Sequence, residues 1–206
     1  QKRIGNTILS SKPLLEIKSE ARIKILCEVV REEGLKILNW SEAEYEWQAR
    51  VLNARLWRPD EDWPDVSDQQ LLASTETWLA PYLEKVSKRI DFQRLDLKSI
   101  MTGLLPWNLT NRLDILTPAR LQVPSGSLIK LKYFHDGQLP IMEVRLQEVF
   151  GLLETPLINE GRTKILLHLL SPGYKPVQVT QDLKSFWKTT YHEVRKELRM
   201  RYPRHL

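Results

Sequence analysis

One cysteine, Cys27, stands in 206 residues. A single thiol closes no internal disulfide and builds no cysteine-based zinc site, which suits a reducing, cytoplasmic setting. Cys27 lies between Leu26 and Val29 in a helical pattern, so it reads as a buried structural thiol rather than a nucleophile. Glycine is also scarce: eight residues, each isolated. No segment can therefore wrap a nucleotide phosphate in successive backbone N–H groups, and neither G-x-x-x-x-G-K-[ST] nor G-x-G-x-x-G occurs. H-E-x-x-H and G-x-S-x-G are absent as well. No apolar run reaches membrane-spanning length, and no signal peptide or low-complexity tract is visible. The first residue is Gln rather than Met, which points to a piece of a longer chain.

What is present is helical first and sheet-like later. Residues 2–12 read as the last strand, or half a hairpin, of an upstream sheet. From Glu16 to Glu33, Ile17, Ala21, Ile25 and Val29 recur on one helical face, and Gly34 supplies the stop. Ser41 followed by Glu44 has the capping-box spacing, with Ala43, Trp47, Val51, Leu52 and Ala54 running to about Trp57. The Pro- and Asp-rich segment Arg58–Asp68 is a loop. Helix resumes with Ser67 or Asp68 as cap and ends or kinks at Pro81. Short helices follow over 96–105 and 108–116.

The pattern changes at Pro118. Ile129, Leu131 and Tyr133 alternate with Lys130 and Lys132, "HDGQ" is a turn, and "LPIMEVRL" is a return strand. "RLQEVFG" is a short helix, "TKILLHLL" and "PVQVT" are strands, and a final helix closes the chain. Leu183, Phe186, Trp187, Tyr191, Val194 and Leu198 form its apolar stripe, and Lys188, His192, Arg195 and Arg199 form a neighbouring face. The fold class is α+β: residues 1–15 end an upstream sheet-containing domain, 16–117 are helical, and 118–206 form a small antiparallel, OB-like or mixed sheet with an amphipathic C-terminal helix. The seven Trp are read as packed anchors.

Charge is concentrated at the end. Residues 175–206 hold eight Lys and Arg against three Asp and Glu, which equals the +5 of the whole chain. A basic face is either solvated surface or a phosphate-binding surface that weakens with salt. The candidate nucleic-acid contacts are Lys130, Lys132, Lys184, Lys188, Arg195, Lys196, Arg199 and Arg201, all to phosphate rather than to base edges. Ser127–Lys130 and Ser185–Lys188 match S-x-x-K but lack the companion elements of a serine acyl transferase. His135, His168, His192 and His205 are scattered, and Glu143, Glu148 and Glu154 read as solvated carboxylates. No catalytic residue and no metal site is expected.

Several long phrases carry a family resemblance: "DVSDQQLLASTETWLAPYL", "LLPWNLTNRLDIL", "VPSGS", "LLHLLSP", "VQVTQDL" and "EVRKELR". Together they resemble the C-terminal region of bacterial HrpB-type ATP-dependent helicases of the DEAH-box group, across nearly the whole chain. Relatives run on briefly past the position of Leu206. The resemblance implies that the motor, with ATP and Mg²⁺, lies upstream, and that this chain binds no cofactor and is not itself an enzyme. It implies an accessory module that assists single-stranded RNA or DNA binding or packs on the upstream helicase domains, away from membranes. The rival expectation is a protein-interaction platform, with an exposed apolar patch around Trp57 or Trp63.

Overall fold

A computed structural model describes residues 2–4, 7–10 and 19–202, with side chains from Ser19 onward. Strands β1 (Lys2–Ile4) and β2 (Thr7–Ser10) pair antiparallel. Then follow α1 (Ser19–Glu33), a 3-10 turn (Leu35–Leu38), α2 (Glu42–Trp57), α3 (Asp68–Ala73), α4 (Thr75–Trp78), a 3-10 turn (Ala80–Tyr82), α5 (Arg89–Phe92), α6 (Leu97–Thr102) and α7 (Trp107–Leu116). The second half holds β3 (Arg120–Gln122), β4 (Leu128–Lys132), β5 (Ile141–Arg145), a 3-10 turn (Leu146–Val149), β6 (Leu157–Ile158), β7 (Thr163–Lys164), β8 (Leu166–Leu170), β9 (Pro176–Thr180), α8 (Leu183–Lys188) and α9 (Tyr191–Arg201). The chain forms two compact units, residues 1–39 with 71–96 and residues 40–70 with 97–206.

In the first unit, α1 buries Cys27, as expected, together with Val30; of the expected apolar face, Val29 is half-buried, Ala21 and Ile25 are exposed, and Ile17 lies outside the described residues. Apolar residues cover a wide arc of this helix, and periodicity alone does not choose which edge faces the core. Gly34 ends it in the left-handed region, its N–H donating to the Val30 carbonyl at 2.9 Å. Cys27 is fully buried, and burial pushes its thiol pKa up, which leaves it protonated and inert. The helix expected from Ser67 is broken into α3 and α4. Ser67 caps α3 through its Oγ, which accepts from the Gln70 N–H, and the Trp78 indole N–H donates to the Leu71 carbonyl at 2.7 Å across the break.

The second unit is built on α2 and the sheet. Ser41 and Glu44 form the expected capping box, with the Glu44 carboxylate accepting from the Ser41 N–H at 3.0 Å. Ala43 is exposed, while three polar side chains of α2 are buried. Each of these donates to a carbonyl of a neighbouring segment: Gln48 to Val66 (2.7 Å), Arg50 to Thr117 (2.5 Å) and Asn53 to Phe134 (2.7 Å). They satisfy loop backbone that would otherwise be buried without partners. At the end of α2, buried Arg58 donates to Asn159 Oδ1 (2.7 Å) and pairs with Glu160 (2.5 Å). Arg112 of α7 pairs with Glu61 (2.5 Å) and Glu160 (3.1 Å), and this holds Glu61 well below the usual carboxylate range. Trp63 is only 2% exposed and its indole donates to Glu61; Trp57 packs against the core. The expected apolar patch on this loop is therefore not exposed, because the Trp rings anchor the loop inward.

The main sheet runs β3-β4-β5-β8-β9. It is mixed rather than wholly antiparallel: β5 and β8 are parallel, with Met142 opposite Leu167 and Val144 opposite Leu169. The long connection through the Leu146–Val149 turn and the β6–β7 hairpin lets the chain re-enter in the same direction. Alternation holds as expected, with Leu131, Tyr133, Met142, Val144, Leu167 and Leu169 buried. Leu183, Phe186, Val194 and Leu198 close the same core from α8 and α9. The expected single C-terminal helix is two. Val179 and Thr180 belong to β9, and the helix breaks at Thr189–Thr190, where the Thr189 hydroxyl donates back to the Ser185 carbonyl at 2.8 Å. Two adjacent β-branched residues, one with its hydroxyl bonded back to the preceding turn, disfavour a continuous helix there.

Candidate nucleic-acid interface

Asp182 starts the basic segment by accepting the Ser185 N–H at 2.9 Å as the cap of α8. Burial of Leu183, Phe186, Val194 and Leu198 then sets the rotation of α8 and α9, so the intervening polar positions face water. Lys184, Lys188, Arg195, Lys196, Arg199 and Arg201 are all exposed.

Their surroundings divide them. Lys184 pairs with Glu154 at 3.1 Å and Arg201 with Glu197 at 3.1 Å. Arg201 also faces a cavity of about 160 Å³ lined by Ser171, Lys175, Glu197 and Tyr202. Lys188, Arg195, Lys196 and Arg199 have no carboxylate within 4.0 Å among the described residues. On α9, Arg195 and Arg199 are four apart and stack on one face, and His192 precedes Arg195 by three. Arg195 and Arg199 thus put two unneutralised charges on one face of α9.

The strand lysines differ. Lys130 is held between Glu46 (2.6 Å) and Glu42 (3.0 Å), both on α2. The hydrogen bonds its ammonium donates to Glu46 and Glu42 raise its pKa, and Lys130 in turn lowers that of Glu42. Lys132 pairs with Glu143 at 2.9 Å. The three carboxylates set aside as solvated each hold a different cation: Glu143 takes Lys132, Glu148 takes Arg145 and Glu154 takes Lys184. Nothing in the sequence placed Glu42 and Glu46 of α2 over β4.

On the same two helices as these cations, Trp187 and Tyr191 belong to an aromatic group whose exposed member carried no sequence signal. Phe150 is 40% exposed, and its ring centroid lies 6.1 Å from Trp187 and 6.2 Å from Tyr191. Trp187 and Tyr191 are half-buried and pack on the core, as the helical stripe required. Phe150 could not be found from periodicity, because it follows a 3-10 turn and reaches this place only through tertiary packing.

The chemistry open to this surface is ionic and aromatic contact. An acyl-transfer base needs a neutral lysine, and the two carboxylates on Lys130 keep it charged. Ser185 and Lys188 are both exposed on α8. Among the described residues, no group of three or more His, Cys, Asp or Glu side chains could hold a metal ion. No helix of the described residues is long and apolar enough to cross a membrane.

Comparison with known proteins now decides the family. The family model of the HrpB C-terminal region, described as ATP-dependent helicase C-terminal, matches residues 78–206. The ATP-dependent RNA helicase HrpB of Escherichia coli (strain K12) is 39% identical over 204 residues, which is 99% of this chain and 25% of that protein. The chain belongs to the HrpB helicase C-terminal family. A crystal structure of the E. coli DExH-box NTPase HrpB superposes with a TM-score of 0.88 at 39% identity, covering 96% of this chain and 24% of that one. A crystal structure of the E. coli DEAH/RHA helicase HrpB gives 0.79 at 38% identity, covering 99% and 26%. The chain thus spans about a quarter of the length of these HrpB relatives. The HrpB C-terminal match includes β4 and the whole of α8 and α9, and so every candidate cation named above.

Proposed function

We propose that this chain is the accessory module of an ATP-dependent helicase and that it guides single-stranded RNA along the outer face of α8 and α9. The observation that carries this reading is the set of four exposed cations, Lys188 at the end of α8 and Arg195, Lys196 and Arg199 on α9, with no carboxylate partner among the described residues. Cations left open to solvent release condensed counterions when they meet phosphates, and this gives affinity without base reading. Lys184 on α8 and Arg201 on α9 are held in exposed ion pairs that a polyanion can displace, since such pairs contribute little. Lys130 and Lys132 are assigned a smaller part, because their charge is already answered within the fold.

ATP and Mg²⁺ belong, in this reading, to upstream domains of the same polypeptide, which works in the cytoplasm. Single-stranded DNA offers the same phosphates and is the alternative ligand. A second contact surface, for the upstream domains, rests on Trp107 at the start of α7. It is 84% exposed, beside a cavity of about 420 Å³ lined by Asp60, Glu61, Asp62, Asn108 and Arg112. An exposed Trp next to polar rim residues is a common anchor for protein contact.

The test is the affinity of the chain for a single-stranded RNA oligomer, followed by fluorescence anisotropy against salt. Four phosphate contacts give a slope of log K against log salt of about −3. Reversal of Lys188, Arg195 and Arg199 to Glu should lower affinity by about 100-fold and flatten the slope by about two. An unchanged affinity and slope in the triple variant would remove the phosphate-contact role.

A further inference from the structure

Phe150 stands at the edge of an aromatic group, partly open to solvent. The segment that carries it is pinned. The Trp187 indole N–H donates to the Leu152 carbonyl at 2.7 Å, and Gly151 turns the chain with φ 97°. A Cβ at Gly151 would come within 3.7 Å of Pro124, so the turn is also packed against the β3–β4 connection. Phe150 is therefore held at the rim of the core and not left there by a mobile loop. Its ring meets Tyr191 nearly at right angles, 78°, and Trp187 at 49°. Edge-on packing of this kind supports the ring while leaving part of its π surface to solvent.

The unpaired cations border this ring cluster. Lys188 directly follows Trp187 at the end of α8, and Arg195 follows Tyr191 by four, one turn further along α9. An exposed π surface therefore lies alongside open positive charge. An acidic peptide would satisfy the cations but has no use for the ring. A duplex presents phosphates while keeping its bases stacked inside. A single strand offers both unpaired phosphates and free base faces, the pairing of groups that single-strand-binding surfaces use.

We propose that Phe150 is a stacking platform for an unpaired base of the strand whose phosphates lie on Lys188, Arg195 and Arg199. This deepens, and rests on, the phosphate-contact reading above. It makes the ligand single-stranded, recognised through base faces without hydrogen-bond readout of sequence.

The experiment measures binding of the 206-residue chain, at low salt, to three oligomers of equal length: a mixed-sequence single-stranded RNA, the same strand with abasic sites, and a blunt duplex. The base-bearing strand should bind about tenfold tighter than the abasic strand, the scale of one aromatic–base stack. Phe150→Leu keeps an apolar side chain against Trp187 but has no π face. It should reduce that preference to about twofold or less, leaving abasic-strand affinity unchanged and lowering the melting temperature by no more than a few degrees, on the order of one lost aromatic contact. Equal affinity for the strands with and without bases overturns the stacking role while leaving phosphate contact standing. So does an undiminished preference in Phe150→Leu, a duplex that binds as tightly as the base-bearing strand, or a polyglutamate that competes as well as RNA. No binding to either single strand removes both this inference and the reading it rests on.

Discussion

The two basic regions of this protein, strand β4 and helix α9, carry the same residue types and are treated oppositely by the fold. On β4, Lys130 and Lys132 lie against Glu42, Glu46 and Glu143, and their charge is answered within the chain. On α9, Arg195, Lys196 and Arg199 meet no carboxylate among the described residues, while the inner side of the same helix is sealed by Val194 and Leu198. A lysine paired across secondary elements helps to fix packing. An arginine left unpaired on a helix whose apolar side is already buried adds little to the fold and remains free for a partner.

That contrast can be broken most sharply by stability measurements on α9 itself. Leu198 is 4% exposed, and Leu198→Ala should cost about 3 kcal/mol in urea unfolding. Arg199→Ala, one residue on, should stay within about 0.5 kcal/mol. A large loss at Arg199 would mean that its charge is engaged in the fold after all.

A smaller effect concerns the other region. A double-mutant cycle between Lys130 and Glu46 should return a coupling of about 0.5 kcal/mol, as expected for a partly exposed pair. The same cycle between Arg195 and any Glu of α9 should return none. Coupling absent at Lys130 would erase the distinction between the two regions.

The smallest effect is expected in acid. Arg112 holds Glu61 below its ordinary value of 4.5, and Arg58 does the same for Glu160. A carboxylate whose pKa is depressed in the folded state stabilises it fully above the unfolded value. That contribution is lost as pH falls from about 4.5 through the lower folded value. Urea midpoints should therefore decline below that pH, and Glu61→Gln should make the decline shallower. A midpoint in Glu61→Gln with the same acid dependence as the parent would show that this network does not respond to protonation.

Much of the fold was legible because its cues are local. The Ser41–Glu44 cap, the Gly34 stop and the alternation around Leu131 are all short-range patterns that the structure contains, and the apolar residues from Leu183 to Leu198 are buried or half-buried as their period required, though on two helices rather than one. The cues failed where long-range packing decides. Ala21 and Ile25 had a valid helical period, yet Cys27 and Val30 face the core. Trp63 had the composition of an exposed loop, yet Arg112 and Glu61 draw that loop inward. The parallel pairing of β5 with β8 depends on the path of the intervening connection, which no strand pattern encodes.

The candidate interface divides along the same line. Its cations were legible as residue types at helical spacing. Which of them are neutralised was not, because Glu42 and Glu46 lie more than 80 positions from Lys130 in the chain. Phe150 was invisible for the same reason, being brought to Tyr191 across 41 residues of sequence.

By itself, the sequence determined that this chain is α+β, that it lacks the glycine-rich loops that bind nucleotide phosphates, that its positive charge lies at its end, and that it resembles helicase C-terminal regions. Those properties follow from composition, period and local phrase, and no contact between distant residues is needed to establish them. Tertiary structure alone decided which charges are left open and which aromatic ring stands beside them. Ion pairing and ring exposure are set by distances of a few ångströms between groups far apart in the chain.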